Sequence, residues 1–219
     1  MHRLRSSVLV ALAWRYACHS AMLLLSLLAE GRPAPSLPDS LLAHIPRLPW
    51  LEAHNYLIWL VCYVPPALWL WRRDRRAFLH FLYLGGVLSL LRGVTVGLTG
   101  LGPVDGPDVN VGLHGRALLA AWATLVNPFS SLFGNAAHVY LTKDLFFSGH
   151  VSTTFLLWLY CRGRGALGAA ALAGHWITVA VVFLCHLHYT IDVVGAWAIT
   201  YSLYVWTERR WPVAVPCEG

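Results

Sequence analysis

Six long apolar stretches interrupt the chain, at residues 7–29, 54–71, 77–99, 148–161, 166–185 and 190–207. Runs of about 18 apolar residues or more are longer than a soluble core uses and match what a bilayer-spanning helix needs. The first stretch is too long for a signal peptide, and no small-residue cleavage site follows it. Between the stretches the pattern breaks. Residues 30–50, "EGRPAPSLPDSLLAHIPRLPW", are too rich in Pro for regular helix. In the loop 100–147, "GLGPVDGPDVNVG" reads as irregular chain. "RALLAAWATLV" (116–126) reads as a short helix lying in the interface. "NPFSSLFGNAAHVYLTKD" carries aromatics suited to a headgroup boundary. The pattern predicts an all-α polytopic membrane protein with six transmembrane helices in a single domain over residues 1–219.

Composition agrees: 58% of the 219 residues are hydrophobic and 12% charged, about half the charge of a soluble domain. The net charge of +6 does not point to nucleic acid, because most of the basic residues sit in short turns. Arg3 and Arg5 precede the first stretch. Arg72, Arg73, Arg75 and Arg76 lie between the second and third, Arg162 and Arg164 between the fourth and fifth, and Arg209 and Arg210 after the sixth. All fall on one side of an even-numbered topology. The positive-inside rule makes that side, and both termini, cytoplasmic. The other side takes Glu30, Asp39, Glu52, Asp105, Asp108 and Asp144, with Arg32, Arg47, Arg116 and Lys143 as minority bases. The five cysteines, Cys18, Cys62, Cys161, Cys185 and Cys217, are scattered and show neither zinc spacing nor a disulfide framework.

Two histidines stand where apolar segments begin, in "DLFFSGHVSTTF" (144–155) and "HLHYTIDVVGAW" (186–197). Both segments start on the outer side, so His150 and His188 are expected at one membrane surface. His188 and Asp192 are four apart, which puts them on one face of a helix. The carboxylate there fixes one imidazole tautomer and leaves the other nitrogen free as nucleophile or base. Ser148 is placed as a helix N-cap. Gly149 permits close approach to backbone, and a helix N-terminus attracts phosphate. His150 in that first turn is placed to move a proton to or from an oxygen on phosphorus. Ionisable residues inside a span are functional by default. A zinc site from His150, His186, His188 and Asp192 is disfavoured, since His186 and His188 would point apart on a helix; neither metal nor cofactor is expected.

"SGH" followed by "HxxxD" resembles the PAP2 lipid phosphatase superfamily, and within it the sphingomyelin synthase branch. "SLPD" (36–39) is similar to that branch's first outer-loop motif. Arg92 and Thr99 match its Arg–six–Thr spacing. "TKDLFFSGHV" keeps Asp144, Ser148, Gly149 and His150, while "HYTIDV" (188–193) is complete. Trp197, Tyr201 and Tyr204 hold the branch's spaced aromatic positions. The chain departs from the branch where Ser89 replaces a Tyr, where the Arg pair shifts to Arg75 and Arg76, and where Cys-Gly before Asp144 is lost. The phosphatases' own Lys and Arg motifs are absent; Val182 stands six before His188.

The resemblance implies a phosphotransferase without cofactor. His188, oriented by Asp192, would attack the phosphorus of a phospholipid, and His150 would protonate the departing diacylglycerol. A second hydroxyl, that of ceramide or diacylglycerol, would then take phosphocholine or phosphoethanolamine from the phosphohistidine. Arg92, Ser148, Gly149, Asp144, Lys143 and Tyr189 would contact substrate. The active site would face the periplasm, lumen or exterior. The expected partners are lipids of the bilayer, not nucleic acid, and oligomeric state is left open. The alternatives are a lipid phosphatase or phospholipase C with water as acceptor, and a non-catalytic lipid-binding membrane protein. Phe129, Phe133, Tyr140, Phe146 and Phe147 are available for a choline cage, and Glu52, Asp105, Asp108 or Asp144 for an ethanolamine. Arg15 and His19 have no assigned role.

Overall fold

The structure is a computed structural model that describes residues 7–127, 129–130 and 140–213. Arg3, Arg5, Phe133 and Cys217, which entered the expectations above, lie outside the described residues. Helices account for the six apolar segments: α1 (Val8–Glu30), α3 (Asn55–Arg73), α4 (Arg75–Leu98), α6 (Gly149–Cys161), α7 (Ala166–Leu184) and α8 (Thr190–Arg210). A single turn, α2 (Pro49–Glu52), and a 3-10 turn at Leu42–His44 interrupt the Pro-rich loop. The expected short helix is α5 (Gly115–Val126). Among the described residues there is no strand.

Three helices, α1, α4 and α7, are long and apolar enough to cross a membrane by length and composition, at 23, 24 and 19 residues. The other three expected spans differ for physical reasons. α6 has only 13 residues. α3 is diluted by Trp, Tyr and the pair Pro65–Pro66, and α8 by Asp192, Glu208 and hydroxyl residues.

Hydrocarbon gives helices no hydrophobic reason to associate, so close packing and small residues do it. The longest seam joins α1 to α4, and glycines line it. A Cβ added to Gly86 would come 2.4 Å from Trp14 Nε1, and one on Gly93 would come 3.1 Å from Met22 Cα. In α3, Pro65 and Pro66 cannot donate to the carbonyls four residues earlier. One of those, Cys62 O, faces α7 at Gly174, where an added Cβ would lie 2.7 Å from it. Helix α6 is the hub. It packs against α3, α4, α7 and α8, and its Leu156, Leu157, Leu159 and Tyr160 join the main core with Phe81, Leu82, Val182 and Ala196.

The two ends of the bundle differ. At one end Asp74 caps α4 by accepting from Ala77 N at 2.9 Å and pairs with Arg164 at 2.6 Å. The arginine turns after α3 and after α6 therefore share an end. Burial pushes the Asp74 carboxyl up, but the Ala77 amide and Arg164 outweigh it and hold the group below its ordinary value. At the other end the loops gather over the start of α8. His186 bonds Asp105 at 2.8 Å and Ile45 O at 2.9 Å.

Candidate active site

Helix α8 starts at Thr190, after His188 rather than before it. This corrects the expectation that His188 and Asp192 share a helical face. Asp192 occupies the third helical position, and its carboxylate reaches back past the helix start. Oδ2 accepts from Tyr189 N at 2.9 Å and lies 3.3 Å from His188 Nδ1. A capping carboxylate at this position satisfies an orphan amide of the first turn; here the same oxygen also faces the imidazole. Asp192 is fully buried and His188 is 4% exposed.

The start of α8 is pinned from the "SLPD" loop. Asp39 accepts from Thr190 N at 2.6 Å and Thr190 Oγ1 at 2.9 Å, and from the amides of Leu41 and Leu42. Burial pushes the Asp39 carboxyl up, but these bonds outweigh it and hold it below its ordinary value. The Tyr189 side chain is taken up by the outer loops. Its hydroxyl accepts from Leu37 N at 3.0 Å and lies 3.1 Å from the carbonyls of Gly102 and Pro103, so it clamps the two outer loops together.

Helix α6 starts with the expected cap: Ser148 Oγ accepts from Val151 N at 3.4 Å. His150 is the second helical residue, with Trp59 of α3 edge-on at a ring separation of 5.2 Å. One main-chain bond ties the two helix starts together, Ser148 N–H donating to Asp192 O at 3.1 Å. Residues 148–150 and 188–192, forty positions apart in sequence, thus form one cluster.

Arg92 of α4 underlies this cluster, and its donors are engaged. Nε donates to Phe147 O at 2.6 Å and Nη2 to Asp144 O at 2.7 Å, while Nη1 meets Asp144 Oδ2 at 2.8 Å. Nη1 also lies 3.3 Å from Met22 Sδ. A Cβ on Gly149 would come 3.1 Å from Arg92 Cζ, so a side chain here would press on the guanidinium. Asp144 also accepts from Ser26 Oγ at 2.7 Å. Burial pushes the Asp144 carboxyl up, but Arg92, Ser26 and the nearby His188 overcome this and keep it below its ordinary value. Lys143 sits apart from the histidines. Its Nζ donates to Asp108 at 2.6 Å and to Arg32 O at 2.6 Å.

Of the aromatics considered for a choline cage, Phe147 is fully buried in the core and Phe146 packs its ring on Gly195. Tyr140 packs beside Leu118 and Leu125 of α5, and Phe129 is exposed. Among the described residues no three His, Cys, Asp or Glu side chains gather as metal ligands.

Sequence reasoning passed over several residues. Glu30 is fully buried and accepts from the Lys143 amide, Thr142 Oγ1 and Asn110 Nδ2. Thr95 donates to Phe146 O at 2.9 Å. His175 is held between Thr154 Oγ1 and Trp197 Nε1, each at 3.0 Å. The indole can only donate, so His175 Nε2 accepts and its proton sits on Nδ1. For Glu30 and Ser26 there was a signal: with Arg15, His19 and Met22 they repeat every three or four residues along α1.

No family model matches the chain. It is 28% identical over 182 residues to human sphingomyelin synthase-related protein 1, an alignment covering 78% of this chain and 43% of that protein. The mouse protein of the same name gives 28% identity over 182 residues, covering 78% of this chain and 37% of its own length. The aligned region is thus less than half of either relative. These alignments support a sphingomyelin synthase-like relationship, the group that "SLPD", "SGH" and "HYTIDV" resemble, for this apolar, helical membrane protein.

Proposed function

We propose that the protein is a membrane lipid phosphotransferase that moves a phospho-alcohol head group from a glycerophospholipid to a second lipid hydroxyl, that of ceramide or diacylglycerol. The observation that carries this is the His188–Asp192 pair fastened to the start of α6 beside His150. In the first half-reaction His188 Nε2 attacks phosphorus. The bond from phosphorus to the diacylglycerol oxygen breaks as His150 gives that oxygen a proton. The imidazole, now bonded to phosphorus at Nε2, keeps its Nδ1 proton against Asp192, whose charge offsets the developing positive charge. In the second half-reaction His150 takes the proton of the acceptor hydroxyl. The acceptor oxygen bonds to phosphorus, the phosphorus–nitrogen bond breaks, and His188 is regenerated.

We assign all six long helices to the bilayer as one domain over residues 1–219, with both termini and the arginine turns on the cytoplasmic side. The loops around Asp39, Asp105 and His186 then face the periplasm, lumen or exterior. A 13-residue α6 is about 20 Å long at 1.5 Å per residue, against a hydrocarbon core of about 30 Å. With its Cys161 end at the inner boundary, its Gly149 end would stop well short of the outer one, and the cluster would lie recessed within the outer leaflet. That depth suits a diester whose acyl chains never leave the membrane. Ser148, Gly149 and His150 line one side of the phosphate's site, Arg92 and Asp144 hold that segment in place, and Lys143 and Tyr189 fix the loops above it.

The test is purified protein incubated with labelled ceramide or diacylglycerol and a panel of phospholipids, with products identified by mass. Transfer is expected, and release of the head group to water alone would replace transferase with phospholipase C. His188→Ala should abolish every product. His150→Ala should stop transfer from natural donors yet still form the covalent intermediate from a nitrophenyl phosphodiester, whose leaving group needs little proton help. Acid-labile label on His188→Ala, and none on His150→Ala, would reverse the two roles.

A further inference from the structure

Arg15 is a charge that the cluster described above does not use. It is the eighth residue of α1, well inside the span, where a charge is expensive to place. Among the described residues no carboxylate lies within ion-pair distance of it. Its Nη2 meets Thr153 Oγ1 at 3.3 Å, and Nη1 rests over Gly85 of α4, where an added Cβ would lie 2.0 Å away. Glycine at 85 makes room for the guanidinium, and Thr153 gives it one weak partner. Arg92 presents the opposite case, with its charge matched by Asp144 and its donors turned to carbonyls.

The position of Arg15 is informative. Thr153 follows His150 by three residues on α6, so the two share a face about one turn apart. The guanidinium therefore lies one turn below the imidazole. Above it on α1, His19 lies within electrostatic reach of Arg15, Arg92 and Asp144, yet it remains exposed. Tyr63 of α3 is within reach of Arg15 and is also partly accessible. His19 and Tyr63 thus flank the guanidinium on α1 and α3, and neither ring is fully closed off.

We infer that Arg15 is the anion-binding residue for the phosphodiester of the lipid substrate, holding it from below while Arg92 serves the fold. The inference rests on the phosphotransferase reading and adds a substrate-binding residue to it. It assigns a planar, permanently charged fork to an oxyanion that carries one negative charge, the pairing for which arginine is suited.

The probe is hexadecylphosphonic acid monomethyl ester, a single-chain monoanion whose phosphorus–carbon bond cannot be transferred, with hexadecanol as the neutral control. Binding is measured to the purified full chain in a neutral detergent. The wild type should prefer the phosphonate. Arg15→Gln should weaken phosphonate binding at least tenfold and leave hexadecanol unchanged, with Arg15→Lys between. Without ligand, Arg15→Gln should melt at or above the wild-type temperature, because an uncompensated charge has been removed. Equal phosphonate affinity in Arg15→Gln, no preference for the phosphonate in the wild type, or a ligand-free melting temperature lowered by several degrees would each overturn the assignment. Loss of phosphonate binding in Arg15→Gln, in a wild type that turns over no lipid, would support the anion site and sink the catalytic reading. Full lipid turnover by Arg15→Gln would do the reverse.

Discussion

Replacing Asp192 by Asn tests how much of the chemistry rests on one charge. Oδ2 of Asp192 is 3.3 Å from His188 Nδ1 and 2.9 Å from Tyr189 N. An amide oxygen in the same place still accepts from both, so the tautomer of His188 and the start of α8 survive. What is lost is the negative charge facing an imidazole that becomes positive when Nε2 bonds to phosphorus. Two unit charges at that distance interact by about 5 kcal/mol at an effective dielectric of about 20. The retained neutral hydrogen bond returns about 1–1.5 kcal/mol. The difference of about 3.5–4 kcal/mol corresponds to a drop in turnover of several hundredfold to about a thousandfold, at 1.36 kcal/mol per factor of ten. The fold should suffer little, since Asp192 Oδ1 is buried and has no hydrogen-bond partner among the described residues, and an NH₂ there is no worse matched. The assay is single-turnover formation of the phosphoenzyme with a labelled phospholipid, beside a thermal melt. Wild-type turnover in Asp192→Asn would refute the charge argument. Lost turnover together with a collapsed melt would show the carboxylate to be structural.

Gly149→Ala drives a methyl to 3.1 Å from Arg92 Cζ, a guanidinium pinned by three partners, so turnover should fall at least tenfold while the protein stays folded by circular dichroism. Arg92→Lys cannot reproduce the fork onto Asp144 and two carbonyls; it should lower stability by about 3 kcal/mol or more, as breaking one side of a buried pair does, and an unchanged melt would remove Arg92 from the fold. Asp39 titrates below its ordinary value of 3.8, so its hold on α8 is complete above that pH and lost as pH falls through the depressed value. Asp39→Asn should therefore flatten the acid limb of the melting-temperature profile, and an unaltered limb would refute this. Single cysteines at Ser130 and Gly163, in a background without native Cys, should label from opposite sides of intact cells, and exterior labelling of Gly163→Cys would overturn the sidedness.

The helices were legible because apolar length is a strong one-dimensional signal; each apolar segment reappears as a helix with ends shifted by a few residues. The cap at Ser148 was legible for the same local reason. The relation of His188 to Asp192 was read correctly as a pair and wrongly as a helical one. A spacing of four fits both a helix face and a carboxylate folding back over its own helix start, and only backbone geometry separates them. Arg92 was legible as important, but not as occupied. Nothing local to residue 92 announces that Asp144 and Phe147, fifty residues on, will take its donors. Lys143 and Tyr189 were drawn toward the substrate by their neighbours in sequence. In space they hold Asp108 and the outer loops, contacts that depend on how residues 30–53 and 100–147 fold over the bundle.

The bond from Ser148 N–H to Asp192 O joins the two histidine segments through main chain on both sides. No side-chain replacement short of proline at 148 deletes it, so the scaffold of the site and its reactivity are separable by mutation. On the phosphotransferase reading, a descendant that exchanged His150 or His188 for an inert residue would keep this main-chain tie between the two helix starts. On that reading an enzyme and a silent lipid receptor lie one substitution apart, and gene copies can cross that line without first having to relearn how to fold.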